Sequence, residues 1–257
     1  MKRLLATMVF ALILNGCSYS EIKLAQYKSD VEVTDREGKE HVERTEVVTI
    51  TEFDPEELIA TIPAEMNLSV PFYSQAPYGN WGMPYQEACE EASLLLAWYY
   101  VNDEWPTKDE FEAAELAMVD WEIEYFGQYE HTDITQTAEM ASEYLGFDNW
   151  EILENPTAED LKMTLASGHP IVAPFAGRYL GNPYFTGLGP VYHMLVIKGY
   201  DDDEFITNDV GTRHGENFVY SYDTIMNALH DWDDSASYDD EGILNGGKKV
   251  LVLKKGY

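Results

Sequence analysis

Two runs rich in β-branched and aromatic residues, YHMLVIKGY (192–200) and EFITNDV (204–210), are separated only by Asp201-Asp202-Asp203. So short a polar connection predicts an antiparallel hairpin. One register of that hairpin sets His193 opposite Asp209, and residues directly opposite share a face of the sheet. Asn208 then points to the other face, and a slip of one residue would exchange the two. Asp209-Val210-Gly211 also reads as the start of a turn.

The rest of the chain falls around this hairpin. PIVAPFA (170–176) and KKVLVLKK (248–255) read as strands, LSVPFY (68–73) as a short first strand, and Tyr222–Leu229 as a short helix. Upstream, apolar residues Ala92, Leu95, Leu96 and Tyr99 recur at helical spacing behind Cys89. Further helices are expected from Thr107 to Met118, from Ile134 to Tyr144 and from Ala158 to Ala166. The last carries an N-cap and acidic partner in Thr157 and Asp160, with Gly168 as its stop. Helices first and strands afterwards predict an α+β fold with a mostly antiparallel sheet packed against the cysteine-bearing helix.

Charge removes some functions. With 16 Lys+Arg against 47 Asp+Glu the formal charge is −31, which argues against nucleic acid or a bare anionic membrane surface as partner, since both demand a cationic face. Cationic substrates, metal ions or a saline, alkaline milieu fit better. The acidic run from Asp231 to Glu241 lacks the glycine and glutamate of an EF-hand loop and reads as a solvated surface.

The N-terminus, MKRLLATMVFALILNGCSYS, has a basic start, an apolar run and then Leu14-Asn15-Gly16-Cys17. This is the layout of an export signal and resembles a bacterial lipoprotein signal, in which the cysteine is lipidated; the alternative is an ordinary signal peptide with a chance cysteine. The expected organisation is a lipoprotein signal peptide at 1–16, an acidic tether or hairpin arm at 17–66, and a main domain at 67–257. Lipid on Cys17 would anchor the protein to the outer side of a membrane in the cell envelope. It would also leave Cys89, the other of two cysteines, without a disulfide partner in an oxidising compartment.

A thiol attacks as the thiolate, which a helix N-terminus favours. Glu90 and Glu91 in the same turn oppose it, so Cys89 needs a cationic partner. Of six histidines, His41, His131 and His230 lie in polar or acidic surroundings and read as solvated, and His169 precedes Pro170 in a loop. His193 begins a strand, with Asp209 or Asn208 as its orienter. Gln75 or Gln86, with the Cys89 backbone N–H, supplies donors for an oxyanion. Tyr78, Trp81 and Tyr85 either line a cleft or pack the loop before Cys89.

Three stretches, VPFYSQAPYGNWGMPYQEACEEAS, ASGHPIVAPF and HMLVIKGYDDDEFITNDVG, resemble stand-alone relatives of the bacteriocin-processing cysteine peptidases, peptidase family 39. The resemblance spans residues 68 to 257 and implies a papain-like fold. It further implies Cys89 as nucleophile, His193 as general base, Asp209 as orienter and Gln75 as the oxyanion glutamine, with a peptide or protein substrate and no cofactor or metal. Transporter-linked members keep a Cys-Gly-Pro-Ala run and a glutamine six residues before the cysteine; here Cys89-Glu90-Glu91-Ala92 and Met83 occupy those places. The expected function is that of a membrane-anchored extracytoplasmic cysteine peptidase or amide hydrolase. The alternatives are a catalytically silent surface-binding lipoprotein of the same fold and a cell-wall peptide hydrolase.

Overall fold

Eleven of the thirteen residues of helix α1, Cys89–Val101, are buried. A helix covered on nearly every side has to be central, and the chain is built around it. The computed structural model describes two strands, β1 (Asp30–Thr34) and β2 (Glu40–Arg44), and residues 62–256. The chain divides between Thr61 and Ile62 into two units. In the first, β1 and β2 pair antiparallel from Asp30↔Arg44 to Thr34↔Glu40. The export signal and Cys17 lie outside the described residues.

The second unit holds a seven-stranded antiparallel sheet. Its strands are β3 (Met66–Asn67), β4 (Trp150–Glu154), β5 (Ile171–Ala176), β6 (Tyr192–Tyr200), β7 (Glu204–Asn208), β8 (Phe218–Ser221) and β9 (Lys249–Leu253), in the order β4-β9-β5-β6-β7-β8, with β3 pairing to β6. All nine residues of β6 are buried, which suits a strand with neighbours on both edges and α1 packed upon it. Leu94, Leu95 and Leu96 are each at most 1% exposed, a contribution of roughly 1.5–3 kcal/mol apiece. The remaining helices are α2 (Lys108–Tyr125), α3 (Ile134–Glu139, continued as a π-turn over Met140–Tyr144), α4 (Ala158–Ala166) and α5 (Tyr222–Ala228). The Thr157/Asp160 capping box of α4 forms as the sequence implies.

The α+β class is therefore the observed one, and so is the layout expected of a papain-like peptidase, a cysteine-bearing helix on an antiparallel sheet. Several elements differ from expectation. The first strand is only Met66–Asn67 rather than 68–73; its backbone lies against Gly199, where any Cβ would collide with the Met66 carbonyl. Helix α2 runs on to Tyr125, and strands β4 and β8 are additional. The hairpin also takes a different register: Val196 pairs with Asn208 and Ile197 with Thr207, and a bulge at Lys198 changes the pairing to Gly199↔Ile206. The register that sets His193 directly opposite Asp209 does not occur. The ladder ends at Val196↔Asn208, and Asp209 already belongs to the following loop, its N–H donating to the Gly215 carbonyl at 3.0 Å.

Candidate active site

Cys89 opens α1, and no side chain caps that helix, so its first backbone N–H groups lack intrahelical partners. Its sulfur lies against β6 at the Met194 N–H, which favours the thiolate. The neighbouring residue on that strand is His193. Both side chains are nearly enclosed, Cys89 at 6% and His193 at 2% exposure.

His193 meets Asp209 although the register differs from the expected one. The observed slip is by two residues, an even number that preserves which face each side chain occupies. Asp209 thus stands diagonal to His193 across the end of the ladder, within reach of side chains of this length, and Nε2 of His193 lies 2.8 Å from Oδ1. The same oxygen accepts from the Gly211 N–H at 3.0 Å. The other, Oδ2, accepts from Tyr220 Oη at 2.6 Å and Asn182 Nδ2 at 2.9 Å. Burial pushes this carboxyl upward, but the His193 charge and hydrogen bond, with those of Tyr220 and Asn182, outweigh it and hold Asp209 below its ordinary range. A carboxylate bound at Nε2 leaves Nδ1 as the nitrogen able to exchange a proton with a substrate-side group. Phe185 packs edge-on against the imidazole at a centroid distance of 5.3 Å.

Asn208, the rival orienter, donates instead to the carbonyls of Val70 and Pro71 at 3.2 and 3.0 Å. Gln75 bonds to the loop before Cys89. It is buried, and its Nε2 donates to the carbonyls of Tyr85 and Gln86 at 2.9 and 3.0 Å. Both amide hydrogens thus point to the loop before Cys89. Gln86 is exposed, and its Nε2 donates to Glu87 Oε1 at 3.1 Å. The rings of the same loop tie it to α2: Tyr85 Oη donates to Glu112 Oε1 at 2.7 Å and Tyr78 Oη to Asp109.

The thiol itself donates to Glu90 Oε2 at 2.9 Å, and no hydrogen bond joins it to His193 among the described residues. Burial pushes the Cys89 thiol well above its usual range, and the Glu90 charge and hydrogen bond push it further. Glu90 and Glu91 are not solvated helix-turn acids: both are buried, and Glu91 adjoins buried Glu115 and Glu122 from α2. Burial raises Glu115 to about 10 and Glu122 to about 8. With no cation beside them among the described residues, four neighbouring carboxyls can coexist only if protons remain among them, and a protonated Glu91 can donate to Glu122.

Two loops flank the site. Arg178 joins them, its Nη1 on Asp240 Oδ1 at 2.7 Å and its Nε donating to the Gly189 carbonyl at 3.2 Å. Within the acidic run, Asp231 is buried, accepts from the Ile134 and Trp232 N–H groups, and is raised to about 6 by burial, so this run is part of the fold and not wholly a solvated face. His131 is not solvated either; it is half-buried against Trp232 and Tyr238. Among the described residues no group of His, Cys, Asp or Glu is arranged to hold a metal ion, and no helix is long and apolar enough to cross a membrane.

Fold and site together define an α+β protein in which a cysteine-bearing helix packs on the strand that carries a histidine held by a buried aspartate. Residues 67–239 match the Peptidase_C39 like family. The chain belongs to that family, and its function is of the peptidase type. A solved structure described as a C39-like peptidase from Bacillus anthracis aligns over 76% of this chain and 99% of its own, at 15% identity and a TM-score of 0.49. Recombinant stem bromelain precursor aligns over 77% of this chain and 72% of its own, at 12% identity and a TM-score of 0.40. Among curated proteins none matches.

Proposed function

We propose that the protein is a cysteine peptidase, tethered outside a bacterial cell through lipid on Cys17, that hydrolyses a peptide or protein substrate with Cys89, His193 and Asp209. The observation that carries this reading is the 2.8 Å His193–Asp209 contact beside the strand position whose N–H meets the Cys89 sulfur. In the reaction, His193 takes the thiol proton at Nδ1 and the thiolate adds to the scissile carbonyl, with the Cys89 N–H at the helix start facing the oxyanion. The C–N bond breaks as His193 returns the proton to the leaving amine. Water, deprotonated by His193, then cleaves the thioester to a carboxylic acid and the free thiol.

A mixed peptide library with cell-wall fragments, incubated with wild type and Cys89→Ala and read by mass spectrometry, tests this reading. Products formed by wild type alone support it. A specific contact favours a second reading, a silent binding protein of the same fold: the thiol is bonded to Glu90 and is almost wholly enclosed. That reading expects Cys89→Ser to retain the biological role. Lipid anchoring is tested separately, since Cys17→Ala should move the protein from the membrane fraction to the supernatant.

A further inference from the structure

Next to the strand that carries His193 stands a cluster of rings that the reaction just described does not use. His131 packs against Trp232, with centroids 4.5 Å apart, and against Tyr238, at 4.7 Å, both rings within about 31° of parallel to it, while Trp232 and Tyr238 meet edge-on at 5.7 Å. Tyr192, the residue before His193 on β6, packs its ring against Trp232 at 5.6 Å and against His131 at 6.3 Å, which ties the cluster to the strand that carries His193. Rings that merely filled the core would be enclosed, yet Tyr238 is 54% exposed.

Carboxylates predominate around this cluster, with Arg178 as a cation near Tyr238. Those facing His131 are Glu87, Glu130 and Asp234, and Glu87 lies two residues before the nucleophile. The cations nearby are committed elsewhere: Arg178 to Asp240 and the Gly189 carbonyl, Lys249 to Asp231 at 3.7 Å. An aromatic face rimmed by carboxylates attracts an ammonium or guanidinium by ring quadrupole and Coulomb terms together, and gives an acidic side chain nothing. A neutral apolar side chain would gain the ring contact alone.

We infer that His131, Trp232 and Tyr238, with Glu87, Glu130 and Asp234 around them, form a subsite for a lysine or arginine side chain of the substrate near its scissile bond. This inference rests on the peptidase reading, because it takes Cys89 as the point of attack. Its test is nevertheless made on protein that cannot cleave. Alanine–serine decapeptides carrying one lysine, scanned through every position, are titrated into Cys89→Ala and followed by NMR at the Trp232 indole N–H. The same series with norleucine keeps the stem and removes the charge. The expected result is at least one register in which lysine binds about tenfold more tightly than norleucine. That gap should narrow severalfold in Tyr238→Leu and in Glu130→Gln, both at exposed positions, and at high salt. Equal affinity for the two series, a gap that survives both substitutions, or no binding in any register would overturn the subsite. Failure of the peptidase reading is seen independently, as lysine peptides that bind Cys89→Ala yet remain intact with wild type.

Discussion

The Cys89 thiol donates its hydrogen bond to Glu90, its immediate neighbour, at 2.9 Å, while the histidine across the sheet is bound to Asp209. Thiol and carboxyl share one buried pocket, where two negative charges side by side are costly. Ionising the thiol therefore competes with ionising Glu90. Glu90→Gln keeps the hydrogen-bonding shape and removes the competition, so the apparent thiol pKa should fall. Iodoacetamide alkylation across pH measures it, with roughly a tenfold gain in thiolate at neutral pH for each unit of fall. An unchanged alkylation profile would show that Glu90 does not control the nucleophile.

Asp209 receives four donors, from His193, Gly211, Tyr220 and Asn182. Asp209→Asn loses the charge that holds the imidazole and its tautomer, and kcat/KM on any cleaved peptide should drop by about two orders of magnitude or more. Tyr220→Phe removes one donor and leaves the carboxylate in place. It should cost about tenfold, the worth of one hydrogen bond to a charged group, while His193 remains ordered. Equal losses in both variants would place the effect in the fold and not in the orientation of His193.

The buried acids set a pH dependence of stability with a definite sign. Glu122 at about 8 and Glu115 at about 10 lie above the unfolded carboxyl value of about 4.3. The folded chain therefore binds more protons than the unfolded one in the neutral range. Their stabilising contribution is complete below about pH 4 and is lost as pH rises through those two values. Asp209, held low, acts oppositely, and only in acid. Between pH 6 and 9 the exposed carboxylates are already ionised, so the change in self-repulsion there is small. Calorimetry should show Tm falling by several degrees over that interval, with roughly 2–4 °C per kcal/mol for a domain of this size. Glu115→Gln should flatten the slope and exposed Glu124→Gln should leave it unaltered; the reverse result would contradict the assignment.

How far the site was legible follows from how each contact is made. Cys89 and His193 stand on elements whose periodicity is plain in the sequence, so their types and placement are readable. The Asp209 partnership was readable for a coarser reason: a two-residue slip conserves faces, so a wrong register still gives the right neighbour. The bulge at Lys198 has no local sequence mark; it adjoins Gly199, whose bare backbone β3 crosses. Gln75 could not be placed from spacing, because its amide follows the path of the loop at Tyr85 and Gln86. Asn182 and Tyr220 lie 27 and 11 residues from the Asp209 they bond, on segments whose approach is set by tertiary packing. The burial of Glu90, Glu91, Glu115 and Glu122 runs against the ordinary preference of glutamate for solvent, so composition points the wrong way there.

Gly211 is where the pocket around the imidazole is tightest. A methyl at that position would stand 2.8 Å from His193 Cε1, 3.1 Å from Nε2 and 2.9 Å from Phe185 Cε1. These are ring atoms packed on two sides, so the displaced group is the imidazole or the Phe185 ring that abuts it. The N–H of the same residue holds Asp209 Oδ1, and a shifted loop loosens that bond as well. Gly211→Ala should therefore cost more in function than in stability. We expect kcat/KM to fall by about two orders of magnitude, with a Tm change of a few degrees, corresponding to about 1–3 kcal/mol of overpacking. Gly247→Ala serves as the reference, since a methyl there meets only Lys249 Cε at an ordinary 3.6 Å. Full activity in Gly211→Ala would mean that His193 works from a position other than the one it holds against Asp209.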